Sequence, residues 1–180
     1  MIKVVYFNNV VSNNFKSLGD IKNKDNVKRL YCSNYGLTLI SKNISNMFPN
    51  LEYLNLDHNC ITHISDNTFF PKLKKLIICN NKLISLPDTM GLIFPNLEYL
   101  NCSYNNIKTI SKYIFMRNLS LFDANYNLIT SLPEKFSEMF PNLEKLYLSW
   151  NYLKLLPYLV FTKLKHIKIS NNCLTALPYM

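Results

Sequence analysis

Cys79, His58 and Asp57 are the residue types that nucleophilic catalysis uses: a thiol to attack, an imidazole to take its proton and a carboxylate to orient the base. Asp57 and Cys79 stand 22 positions apart, so they meet only if the fold brings them to matching places on neighbouring elements. The other cysteines, Cys32, Cys60, Cys102 and Cys173, form no C-x-x-C pair, and no histidine stands at zinc-finger spacing from them. Five scattered thiols read as free cysteines in a reducing compartment. His63 and His166 are isolated and read as surface or turn residues rather than metal ligands. Gly19, Gly36 and Gly91 are the only glycines, so no glycine-rich phosphate loop exists and no cofactor is expected.

What positions these side chains is a repeat. The run Leu51-Glu52-Tyr53-Leu54-Asn55-Leu56-Asp57-His58-Asn59-Cys60-Ile61 reads apolar-x-x-apolar-x-apolar-x-x-Asn-x-apolar. Five more copies keep all of those positions, starting at Leu73, Leu97, Leu119, Leu143 and Leu164. A looser copy starts at Val27, with Tyr35 where the asparagine belongs, and a weaker one starts at Met1, with Val4 and Tyr6 as its inward pair. Successive starts alternate between longer and shorter spacings, so the underlying unit is a pair of copies. The chain reads as one domain, 1–180, with a degenerate capping copy in 1–26 and seven copies of 21–24 residues over 27–180.

Within each copy the fourth and sixth residues point inward and the third, fifth and seventh outward, which is the period of a strand. Stacked copies give a parallel sheet, and the ninth-position asparagine turns the chain while its amide satisfies backbone groups of the turn. Apolar pairs such as Leu83 with Leu86 and Leu153 with Leu156 fill the rest of the core, and Phe69, Phe94, Phe115, Phe140 and Phe161 are expected to close the back. Pro87, Pro133 and Pro157 favour short helical or extended segments there. Strands about 4.8 Å apart with bulkier backs make an arc with the sheet on its concave side, roughly 30–35 Å long. Cys79 and Asp57 then share the seventh column, but an open sheet offers no water-excluding pocket or oxyanion donors, and His58, next to Asp57 in the chain, need not point the same way. The expectation is a protein that is not an enzyme.

With these positions, the chain resembles the leucine-rich-repeat proteins from Val27 to its end, and more weakly from Met1. The resemblance implies an α/β solenoid, a horseshoe with a parallel concave sheet of seven to eight strands and short convex segments. It also implies a concave face that holds a protein or peptide partner. The 26 asparagines, with many Lys, Ile and Tyr, look like the coding bias of an AT-rich genome, similar to repeat proteins of giant viruses. The first residues form neither a signal-peptide core nor a membrane span. The expected location is cytoplasmic, in the host cytoplasm for a viral protein, and without secretion the N-x-S triplets at Asn43, Asn101 and Asn118 go unused.

Read column by column, the eighth positions run Asn34, His58, Asn80, Tyr104, Tyr126, Trp150, Asn171, with three aromatics side by side. The third positions add Tyr53, Tyr99 and Leu121, and the fifth add Tyr147. Tyr53, Tyr99, Tyr104, Leu121, Tyr126, Tyr147 and Trp150 are therefore the expected partner-binding residues, because exposed aromatic clusters are frequent binding hot spots. Two alternatives stand beside this: a purely structural array in which the tyrosines pack across strands, and a nucleic-acid binder. The net charge of +9 motivates the latter, but outward strand positions hold eight basic residues against five acidic ones, so most of the excess lies elsewhere. Because Leu177 to Met180 supply no polar cap, the last copy is expected either to be covered by those residues or to pair with a second molecule as a homodimer.

Overall fold

The fourth and sixth positions of the repeat are the seed of the core. Leu30, Leu54, Leu76, Leu100, Phe122 and Leu146 line up along it at no more than 1% exposure. The structure is a computed structural model that describes residues 3–6, for backbone only, and 23–176. Its main sheet is parallel and takes its strands in chain order: β1 (Lys3–Tyr6), β2 (Val27–Tyr31), β4 (Tyr53–Asn55), β6 (Lys75–Ile77), β7 (Tyr99–Asn101), β8 (Leu121–Asp123), β9 (Lys145–Tyr147) and β10 (His166–Lys168). Two short strands on the far side, β3 (Leu39–Ile40) and β5 (His63–Ile64), form a second sheet. From β2 on, equivalent repeat positions pair across every strand, as in Leu54 opposite Leu76 and Leu100 opposite Phe122.

The first strand departs from the expected frame. Val5, not Val4, stands opposite Leu30, with a register irregularity between Lys3 and Val4, so the N-terminal copy runs one residue later than a start at Met1. A one-residue slip exchanges the two faces of a strand, and a degenerate copy with four apolar or aromatic residues in a row carries too little alternation to fix it. The rest of that copy lies outside the described residues, as do residues 177–180, on which the expected cover or pairing at the C-terminal end depends.

The turn asparagines form a ladder of six rungs. Asn127 accepts from Ile107 N–H at 3.0 Å and donates to the carbonyls of Cys102 at 3.1 Å, Ala124 at 3.2 Å and Asn125 at 3.2 Å. Asn59, Asn81, Asn105, Asn151 and Asn172 repeat this pattern, each reaching back to the coil before it as well as closing its own turn. A second amide ladder, not anticipated, runs along the entry to the strands: Asn50, Asn96, Asn118 and Asn142 donate to the carbonyls of Asp25, Pro71, Pro95 and Arg117.

Helices α1 (Lys42–Met47), α2 (Met90–Ile93) and α3 (Phe136–Met139) occur only in the longer member of each pair, whose extra residues allow a helical turn. The shorter members cross the back without one. There the expectation for the back residues needs correcting: Phe69 and Phe115 face solvent at 56% and 52%, while the next residues, Phe70 and Met116, are buried. Phe94 and Phe140 are buried as expected, and Phe161, in the frame of Phe70 rather than Phe69, packs partly buried beside Phe136. Two adjacent apolar residues leave the choice to the local backbone.

Candidate interaction surface

Each coil leaves its strand through the eighth position, and all seven of those residues, Asn34, His58, Asn80, Tyr104, Tyr126, Trp150 and Asn171, have φ between 51° and 59°. The left-handed conformation aims their N–H groups along the stack. Tyr104 N–H reaches the Asn125 carbonyl at 3.0 Å and Tyr126 N–H that of Ser149 at 2.9 Å. Asparagine tolerates this region because its short side chain crowds the backbone little, whereas other L-residues incur roughly 1–2 kcal/mol there. Tyrosine and tryptophan are therefore poor choices for the backbone at three consecutive turns.

Those three side chains stack. Tyr104 and Tyr126 lie 4.2 Å apart with planes 9° from parallel, and Tyr126 and Trp150 lie 5.2 Å apart at 10°. A ring pair contributes about 0.5–1.5 kcal/mol beyond area burial, so two pairs offset only part of the strain at three positions. Stacking does not bury the rings either: Tyr104, Tyr126 and Trp150 remain 49%, 37% and 50% exposed. A hydrogen bond to Tyr126 holds the Tyr104 hydroxyl above its ordinary pKa.

The other four expected residues sit on the sheet floor and are half-buried. Tyr53 packs on Tyr31 at 4.8 Å, and burial, then the Tyr31 phenol, push its pKa up to about 12. Lys75 lies over the ring of Tyr99 at 4.0 Å, and Lys168 lies over Tyr147 at 5.1 Å. Leu121 is in β8 between Tyr99 and Lys145. Near it Asp123 has a raised pKa because burial penalises its charge more than the N–H of Asn125 and the Lys168 ammonium relieve it. The seven residues thus form an exposed stack along one rim and a floor of Leu121 and three tyrosines, each with a lysine over its ring.

Sequence reasoning missed Tyr152, in the tenth column, which is exposed beside Trp150. It follows Trp150 by two residues and shares its rim.

His58 and Cys79 do converge on Asp57. Cys79 Sγ donates to Oδ1 at 3.0 Å, Asn80 Nδ2 to the same oxygen at 3.0 Å, and His58 Nδ1 lies 2.9 Å from Oδ2. Burial works against ionisation of Asp57, but the hydrogen bonds from Cys79, Asn80 and His58 outweigh it and keep its pKa below the ordinary value. The same carboxylate opposes loss of the thiol proton: burial first, then Asp57, push Cys79 up to about 12. The histidine faces the acid, not the thiol, so the thiol serves as a donor and lacks the adjacent base that a nucleophile needs. Among the described residues no three His, Cys, Asp or Glu side chains group as a metal site.

Cys32 is likewise pushed up to about 12 by burial, and Cys102 is raised for the same reason. We predict that iodoacetamide at pH 8 alkylates exposed Cys173 first and spares Cys32, Cys79 and Cys102 in the folded chain. These raised pKa values stabilise the fold fully below the unfolded thiol value near 9, and that contribution is lost as pH rises through about 12. Early labelling of Cys79 at pH 8, read by peptide mass mapping, would contradict the Asp57 hydrogen bond.

A parallel sheet of stacked coils joined by turn asparagines defines a solenoid repeat protein. Leucine-rich-repeat family models match residues 71–123 and 50–71, and the stacked coils have the leucine-rich-repeat fold. Among solved structures it is similar to YopM from Yersinia enterocolitica, with 26% identity over 87% of this chain and a TM-score of 0.62. It is also similar in fold to the leucine-rich repeat domain of APL1B, with 24% identity over 91% of this chain and a TM-score of 0.72. The chain spans 36% and 46% of those two chains. No curated protein matches it significantly.

Proposed function

We propose that the chain is a non-catalytic interaction module that holds a protein or peptide partner on its concave face, with Tyr104, Tyr126 and Trp150 as anchors. The observation that carries this reading is the use of three exposed aromatics at left-handed turn positions where the neighbouring coils use asparagine. Backbone strain at surface residues that packing does not repay is a mark of selection for contact with something else. The floor of Tyr53, Tyr99, Leu121 and Tyr147 continues the surface, with Lys75 and Lys168 able to turn from their rings toward partner carboxylates.

A nucleic-acid partner fits these observations less well. Base stacking needs open ring faces, and both faces of Tyr126 are taken by its neighbours. Lys28, Lys74 and Lys165, at the start of the strands, are paired with Glu52, Glu98 and Glu144 rather than left for phosphates.

The test replaces Tyr126 and Trp150 together by asparagine. Because asparagine relieves the left-handed strain, the variant is expected to melt no lower than the parent and to keep its far-UV circular dichroism. It should lose at least tenfold in affinity for a captured partner, about 1.4 kcal/mol. Unchanged capture moves the site off this rim. A lower melting temperature makes the stack a structural device.

A further inference from the structure

Beside the stack runs a groove of about 480 Å3, within the usual range for ligand sites, parallel to the axis of the solenoid. Tyr126 and Trp150 of the eighth column form one wall, and Leu128, Tyr152 and Cys173 of the tenth form the other. Its floor is the asparagine ladder, whose amides are already fully bonded to backbone. The main-chain N–H groups of the walls are also occupied. The carbonyls of Tyr126 and Trp150 accept from Asn105 and Asn127, and the N–H groups of Leu128, Tyr152 and Cys173 donate to Ile107, Ile129 and Leu153.

A groove with apolar and aromatic walls and no free main-chain N–H cannot supply the alternating donors and acceptors that an added β-strand needs. It suits a segment that has few N–H groups to lose. Polyproline II is that conformation, and its turn of about 9.3 Å nearly equals two strand spacings of about 9.6 Å. Residues three apart in such a segment therefore meet equivalent places on alternate coils, such as Leu128 and Cys173. The walls also carry side-chain donors for its carbonyls: the indole N–H of Trp150 and the hydroxyl of Tyr152 are exposed, with no hydrogen-bond partner among the described residues.

Charge narrows the occupant further. Lys82, in the tenth column, and Lys108 and Lys154, two residues beyond it in their coils, are exposed and form no ion pair among the described residues. We propose that this groove binds a proline-rich segment of a partner protein, with acidic residues beside its prolines. The proposal rests on the docking role assigned above to the aromatic rim and specifies the chemistry that role serves.

The probe is a synthetic peptide of six prolines flanked on each side by an Asp-Glu pair, titrated against the full chain while the emission of Trp150, the sole tryptophan, is followed. A peptide with serines in place of the prolines serves as control. The expected result is a saturable change with the proline peptide, weakened at least tenfold by Tyr152→Ala and by Lys108→Glu with Lys154→Glu, and weakened by added salt. Proline and serine peptides binding alike, or Tyr152→Ala without effect, overturns the proposal. A captured partner that is lost on replacing Tyr126 and Trp150 by asparagine but is not displaced by the proline peptide also overturns it, while leaving the docking role standing.

Discussion

Asn127→Ala will destabilise the chain by about 3–5 kcal/mol in urea unfolding, more than any surface substitution described here. The amide is nearly inaccessible; its loss leaves Ile107 N–H without a partner and takes one of two donors from each of the carbonyls of Cys102, Ala124 and Asn125. An unpaired buried N–H costs about 1–3 kcal/mol, and each of the three lost carbonyl bonds adds about 0.5–1.5 kcal/mol. Asn127→Asp provides the control. Its carboxylate is the same size and still accepts from Ile107, but it cannot donate, so it should lose nearly as much. In a repeat protein, stability is a sum over coils and their interfaces, so the transition is also expected to broaden or split at this coil. A loss under about 1 kcal/mol would mean that the turn finds other partners for its backbone.

Gly91→Ala is the second large effect. A Cβ at Gly91, in α2, would stand 1.9 Å from the carbonyl oxygen of Phe115 on the next coil, closer than any real contact and against backbone rather than a side chain that could swing away. The helix would have to retreat from its neighbour, opening the packing of buried Ile93 and Phe94. A loss of about 3 kcal/mol is expected, at the upper end for overpacking. The corresponding serines of the flanking pairs show what the close approach replaces: Ser45 Oγ accepts from Phe69 N–H, and Ser137 Oγ from Val160 N–H at 3.2 Å. A Gly91→Ala chain that melts with the parent would show that the coils slide past one another without strain.

Much of this architecture is legible from residue spacing because a solenoid reuses one local solution. Leu54, Leu76, Leu100, Phe122 and Leu146 announce the register by period alone, and the ninth-position asparagines announce the turn. What was hidden has local causes. The left-handed eighth position carries no glycine, and its mixture of Asn, His, Tyr and Trp disguises a shared backbone conformation. The aromatic column was visible, but the parallel stacking of its rings and the lysines over Tyr99 and Tyr147 depend on rotamers that sequence does not specify. The meeting of His58 and Cys79 at Asp57 required knowing that the turn bends His58 back toward its neighbour. The second amide ladder went unnoticed because Asn50, Asn96 and Asn142 each follow a proline and look like ordinary loop residues.

The backward reach of each turn asparagine also gives the molecule a direction in time. Leu83 N–H and the Ile78 carbonyl belong to one coil, yet the side chain that serves both, Asn105, belongs to the next. As the chain leaves the ribosome, a coil can close its own turn but leaves groups such as Leu83 N–H waiting for the next coil's asparagine. Each coil stays unfinished until its successor has been made, so ordering must trail synthesis by one coil along the length of the arc.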